Sequence, residues 1–125
     1  MDALTFIVHK LLNFQISLKI YHWQTTSYSR HKATDNLYER ISDKIDKFVE
    51  TLQGSRGTRA EFTNKCNIKL NNFSDVDGKN LLLTFKTWLE NDLAKLLDKK
   101  ETDLINIRDD MLGDVNQTLY LFTLN

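Results

Sequence analysis

The chain contains no proline in 125 residues, and its four glycines stand at positions 54, 57, 78 and 113. Proline removes a backbone donor and clashes with the preceding turn, and glycine weakens a helix by about 1 kcal/mol. Their scarcity leaves few places where a long helix must stop, and the apolar residues exploit that freedom. Between Ala3 and Trp23, the residues Leu4, Ile7, Val8, Leu11, Phe14, Leu18 and Tyr21 recur at steps of three and four, which predicts a first helix with one apolar face. The polar stretch Gln24 to Ser29 reads as a short turn, with Ser27 or Ser29 able to cap the next helix. A second helix carries Leu37, Ile41, Ile45, Phe48 and Leu52 and is expected to end at Gly54.

From Ser55 to Gly78 the periodicity fades and Asn71, Asn72, Ser74, Asp75, Asp77 and Gly78 accumulate, so a long connection is expected there, with a short helix around residues 60 to 70. A third helix follows on Leu81, Leu82, Phe85, Trp88, Leu89, Leu93 and Leu96. Asp98 and Glu101 have the spacing of a capping box before a fourth, built on Leu104, Ile107, Met111, Val115, Leu119 and Phe122. Gly113, inside that helix, reads as a point of close approach for a neighbour. Two helices, a long connection and two more helices predict an all-α, ferritin-like four-helix bundle with a long crossover between the second and third helices, one domain over residues 1–125.

Composition narrows the function classes. Seventeen basic and seventeen acidic residues cancel, so the charge gives no support to DNA binding or to a membrane-surface role. Cys66, the one cysteine, has no internal disulfide partner. His9, Lys10, Asn13, Gln15 and Lys19 interrupt the N-terminal apolar run, so neither a signal peptide nor a membrane span is expected, and the reading is an intracellular, cytoplasmic protein.

The second helix also carries acids. At about 100° per residue, Leu37, Ile41, Ile45, Phe48 and Leu52 occupy one arc, while Asp35, Glu39, Asp43, Asp46 and Glu50 form a stripe centred roughly 160° away, with His31 at its margin. A solvated face among Arg40, Lys44 and Lys47 is the ordinary meaning of such a stripe. Two details point further. His22 and His31 are separated by one short turn, and imidazole with carboxylate suits divalent iron or zinc. Asp46 and Glu50 stand four apart on one face, the spacing that lets two carboxylates converge. His31 and Asp46 are fifteen residues apart, roughly 22 Å along a helix, so one chain cannot close a site over both ends. A two-fold axis across two antiparallel second helices would set the histidine end of one copy against the acid end of the other.

This stretch resembles the iron-site region of Dps-like miniferritins of the ferritin-like superfamily: His22 followed by Trp23, then His31, then Asp46 and Glu50 with the interval from His31 to Asp46 that the family shows. It is also similar to short Dps-like relatives, some encoded by phages and other large viruses. The resemblance implies a ferroxidase and iron-storage role: Fe2+ oxidised to Fe3+ with peroxide or dioxygen, at sites built from His22 and His31 of one subunit and Asp46 and Glu50 of its two-fold partner. It implies a homo-oligomer of two-fold dimers, in the family commonly a dodecameric shell. Asp35 and Glu39 are accessory candidates as entry or supporting ligands, Trp23 is expected at an interface, and no organic cofactor is expected. The gap between the two histidines is a few residues shorter than is usual in the family.

Two competitors stand beside this reading. Metals inside the bundle would need Glu-x-x-His pairs, which the sequence lacks; Asp103, Asp110 and Asp114 read as an exposed or interface stripe. A non-enzymatic bundle that acts as a binding or structural protein would use another surface, such as the basic residues Arg56, Arg59, Lys65 and Lys69.

Overall fold

The computed structural model describes residues 1–124, and among these the chain is all-helical with no strand. Helix α1 spans Ala3–Gln24 and α2 spans Tyr28–Arg56; α3 spans Asp75–Thr87 and continues through a π-helical segment, Trp88–Leu93, into the short α4, Ala94–Leu96; α5 spans Thr102–Leu121. Because α3, the π segment and α4 follow one another without leaving helical backbone, the described chain forms four rods.

Three of the four rods start on a side-chain cap. Helix α5 does not: the Glu101 carboxylate, expected in a capping box with Asp98, takes the Asp98 amide in the preceding turn, and α5 begins at Thr102 with no side-chain cap. Asp2 accepts from the Thr5 amide at 2.8 Å, and Ser27 accepts from the Arg30 amide at 3.2 Å, satisfying donors that the first turn leaves free. Ser74 and Asp77 form a reciprocal capping box, each side chain bonded to the other's backbone N–H at 3.1 Å. Residues 74 to 78, expected in the connection, therefore open α3. Helix α2 passes Gly54 and ends at Gly57, whose φ of 65° is the left-handed conformation that glycine takes without strain. No helix forms around residues 60 to 70.

The apolar faces meet in one core. Leu11, Leu18, Ile41, Phe48, Leu52, Leu82, Leu89, Leu93, Leu104, Met111 and Val115 are fully buried. At about 1.5–3 kcal/mol for a large apolar side chain, their burial is the main force opposing chain entropy. Helix α2 packs on α1 and α5, and α3 packs on the same two. The pairings give the directions: Gln15 bonds Ser42 at 2.9 Å, Lys44 pairs with Asp114, Arg40 donates to Gln117 at 2.6 Å, and the Phe14 and Phe85 rings stack at 3.7 Å. Thus α1, α2 and α5 alternate in direction, while α3 runs with α2. Lys44 and Arg40 face α5 rather than the acid stripe, and Asp114 is an interhelical ion-pair partner rather than an exposed acid.

The connection between α2 and α3 lies along α1. The Glu61 amide donates to Thr5 near its start (3.3 Å), the His9 Nε2–H donates to the Asn67 carbonyl (2.8 Å), and the Phe73 amide donates to Gln24 at its end (2.7 Å). Arg56, expected in a basic patch, instead donates to Glu101 and to the Leu96 carbonyl, binding the end of α2 to the turn before α5. Among the described residues no helix is long and apolar enough to cross a membrane.

Candidate metal centre

The turn between α1 and α2 covers residues 25 to 27, and its shortness brings the last turn of one helix against the first turn of the next. His22 and His31 meet there with ring centroids 4.0 Å apart and planes 18° from parallel. The Nδ1 of His22 lies 2.9 Å from the His31 carbonyl, and the Nδ1 of His31 lies 3.1 Å from the His22 carbonyl. A carbonyl oxygen only accepts, so each Nδ1 carries the proton and donates. In the neutral rings the lone pairs then sit on the two Nε2 atoms, the free ligating positions.

His22 is 6% exposed, whereas His31 faces solvent. Burial, and then the neighbouring His31, push the His22 pKa below its ordinary value, against the raising effects of the His31 carbonyl and the Asp35 carboxylate. Near neutrality this ring is therefore uncharged. Thr34, fully buried, shares the His22 Nδ1–H at 3.0 Å and is itself held against the Arg30 and His31 carbonyls at 2.8 and 3.1 Å. It fixes the plane of the His22 ring.

Of the accessory candidates, Asp35 comes close: its Oδ1 is 3.9 Å from the His22 Nε2. Glu39 is exposed one turn further along. Asp46 and Glu50 are both exposed and are brought together with each other, about 22 Å from the histidine end; the hydrogen bond with Asp46, followed by its negative charge, raises the Glu50 carboxyl pKa. Among the described residues no group of three or more His, Cys, Asp or Glu lies close enough to hold a metal ion. Within one chain, His22, His31 and Asp35 are neighbours, and Asp46 with Glu50 form a separate pair.

Several supporting groups are not evident from ligand spacing. The Lys19 ammonium lies 4.4 Å from the Tyr38 ring centroid and 5.7 Å from that of Trp23, placing a fixed positive charge beside His22. Trp23 itself is 69% exposed. Behind the histidines, the Tyr21 hydroxyl donates to Asp75 at 2.9 Å and accepts from Arg30 at 2.8 Å, while the Arg30 guanidinium lies 4.1 Å over the Phe122 ring. Hydrogen bonds from Thr25, at 2.8 Å, and from Tyr21 hold the Asp75 carboxyl below the usual range. This junction joins the ends of α1, α2, α3 and α5 and holds the turn that presents the histidines. A buried-capable Tyr directly before His22 was its one sequence signal.

Comparison with known proteins adds a family. Residues 22–122 match a family of unknown function, DUF5856. A relative in Enterobacteria phage T4, the uncharacterized 14.6 kDa protein of the mobD-ri intergenic region, is 45% identical over 38 residues, 30% of this chain and 30% of that protein. The chain thus matches less than a third of the length of that curated relative. No solved structure matches it.

Proposed function

We propose that this chain, which belongs to the DUF5856 family of unknown function, is a ferritin-like four-helix bundle with a long crossover between α2 and α3, and acts as a Dps-like ferroxidase and iron-storage protein. The observation that carries the reading is the histidine pair: two stacked imidazoles, each with Nδ1–H committed to the other's backbone, leaving two Nε2 lone pairs for a soft-to-borderline divalent metal. Asp35 supplies a hard oxygen beside them, and the Asp46 and Glu50 pair supplies the carboxylates a cation needs for charge balance.

The substrate is Fe2+. His22 and His31 of one subunit bind it from one side, with Asp35 as an accessory acid beside them, and Asp46 and Glu50 of a two-fold partner bind it from the other, because the span along α2 forbids closure within one chain. A hydrogen peroxide molecule takes one electron from each of two Fe2+ ions and two protons, and leaves as two waters; dioxygen is the alternative oxidant. The protein's residues bind and orient the ions, and the mutual repulsion of Asp46 and Glu50 is relieved when a cation arrives. Thr34 and the two carbonyls keep both rings in the ligating tautomer.

The test combines light scattering with ferrous oxidation under peroxide. The proposal expects an oligomer whose oxidation rate falls at least tenfold in His22→Ala and in Asp46→Ala, with helicity retained. A monomer without iron-dependent activity would sink it. Exposed Arg59, Lys65 and Lys69 in the connection, in no ion pair among the described residues, favour the second reading, a bundle that binds a partner without chemistry; that reading expects both variants to oxidise iron no more slowly than the parent chain.

A further inference from the structure

A half-open cavity of about 120 Å³ lies between α1 and α3, remote from the histidines, walled by Phe14, Leu81, Phe85 and Trp88 and rimmed by Lys10, Asn13 and Thr84. Its apolar wall is a ladder of rings: Phe14 and Phe85 stack at 3.7 Å and 3°, and Phe85 and Trp88 lie 5.8 Å apart at 19°. A cavity of about 150 Å³ lined by such side chains holds a benzene molecule, so the space is that of one small ring rather than of a nucleotide or lipid.

The rim has a definite polarity. Lys10 forms no ion pair among the described residues, and the Asp92 carboxylate lines the adjoining depression that shares Lys10, Thr84 and Trp88 rather than this cavity. Asn13 uses its carbonyl oxygen to accept from Ser17 at 3.3 Å, which leaves its amide N–H groups to donate. Thr84 adds a hydroxyl. The site therefore offers an ammonium, an amide and a hydroxyl above an aromatic wall.

The wall is also where the backbone is irregular. The π-helical segment begins at Trp88, and such segments occur mostly as single-turn bulges inside α-helices, frequently at functional sites. The Trp88 Nε1–H is buried with no acceptor, a condition that costs about 1–3 kcal/mol and is uncommon where packing alone decides a core position. A cationic rim whose ammonium is in no ion pair, and a ring-sized slot against an irregular wall, have one common explanation.

We infer that this cavity is a binding site for a small aromatic monocarboxylate, the ring lying against Phe85 and Trp88 and the carboxylate at Lys10, Asn13 and Thr84. Lys10 lines the cavity, and its ammonium supplies the charge that selects an acid over a neutral ring. The site is separate from the proposed iron centre.

Benzoate is the probe, with benzyl alcohol as its neutral counterpart, followed by tryptophan fluorescence in the full chain carrying Trp23→Phe, so that Trp88 alone reports. The expected result is a saturable change with millimolar benzoate, about tenfold weaker binding of benzyl alcohol, and about tenfold loss of benzoate affinity in Lys10→Met, with Thr84→Val intermediate. Lys10 and Thr84 are not buried, so these variants keep the fold. No saturable change with benzoate, or equal affinity for acid and alcohol, or an unaltered benzoate affinity in Lys10→Met, overturns the inference. Ferrous oxidation by the same Lys10→Met protein is expected to be unchanged, which separates this site from the iron reading.

Discussion

Two glycines show how much of this protein is decided at single side chains. A Cβ placed on Gly78 falls 2.2 Å from Cζ of the Tyr21 ring, while nothing lies within 4 Å of one placed on Gly113. Gly78 is thus the point of close approach, one that the sequence pattern assigned to Gly113, because spacing shows which residues share a helix but not which helix crosses closest. Gly78→Ala must push back a fully buried tyrosine that also holds Asp75 and Arg30, and is expected to cost about 2–3 kcal/mol. Gly113→Ala, exposed within α5, is expected to stabilise by about 0.5–1 kcal/mol through helix propensity. Urea midpoints of the two variants, moving in opposite directions from the parent, check both.

At the level of the element, the ends of helices are where sequence and structure part. Leu37, Ile41, Ile45, Phe48 and Leu52 announce α2 because burial and period coincide. Its end does not announce itself: Gly54 and Gly57 are equally good in sequence, and the choice fell to the one where Arg56, the last helical residue, reaches Glu101 and the Leu96 carbonyl. Ser74, Asp75, Asp77 and Gly78 read as a loop because the residues that favour turns are those that cap helices. The π segment leaves no mark in the apolar spacing. The two histidines and two acids were legible as ligand types, whereas Thr34, which fixes the His22 ring, depends on a contact that spacing does not reveal. The Arg56–Glu101 clamp has a pH signature. Arg56 holds the Glu101 carboxyl below its ordinary value of 4.5, so between the folded and unfolded values the native chain binds fewer protons. Its stabilisation is present above the ordinary carboxylate range and is lost as pH falls through the folded value. Glu101→Gln is expected to cost about 1–3 kcal/mol at neutral pH and to flatten the acid side of the stability–pH profile measured by denaturant unfolding.

At the scale of the whole molecule, the question is how many chains make one proposed iron site. If His22 and His31 of one subunit work with Asp46 and Glu50 of the next, each two-fold dimer holds two sites, and each site takes one His22 and one Asp46 from different chains. A dimer of a His22→Ala chain with an Asp46→Ala chain then has both substitutions in one site and none in the other. Random co-assembly makes about half of all dimers mixed, and half of the sites in those dimers are intact, so about a quarter of the parent oxidation rate returns. Were all the ligands supplied by one chain, every site in the mixture would carry a substitution and nothing would return. Refolding the two inactive variants together and measuring ferrous oxidation beside each alone therefore reads the architecture directly. Recovery near one quarter requires a shared site, and recovery of nothing from a properly assembled mixture rejects it.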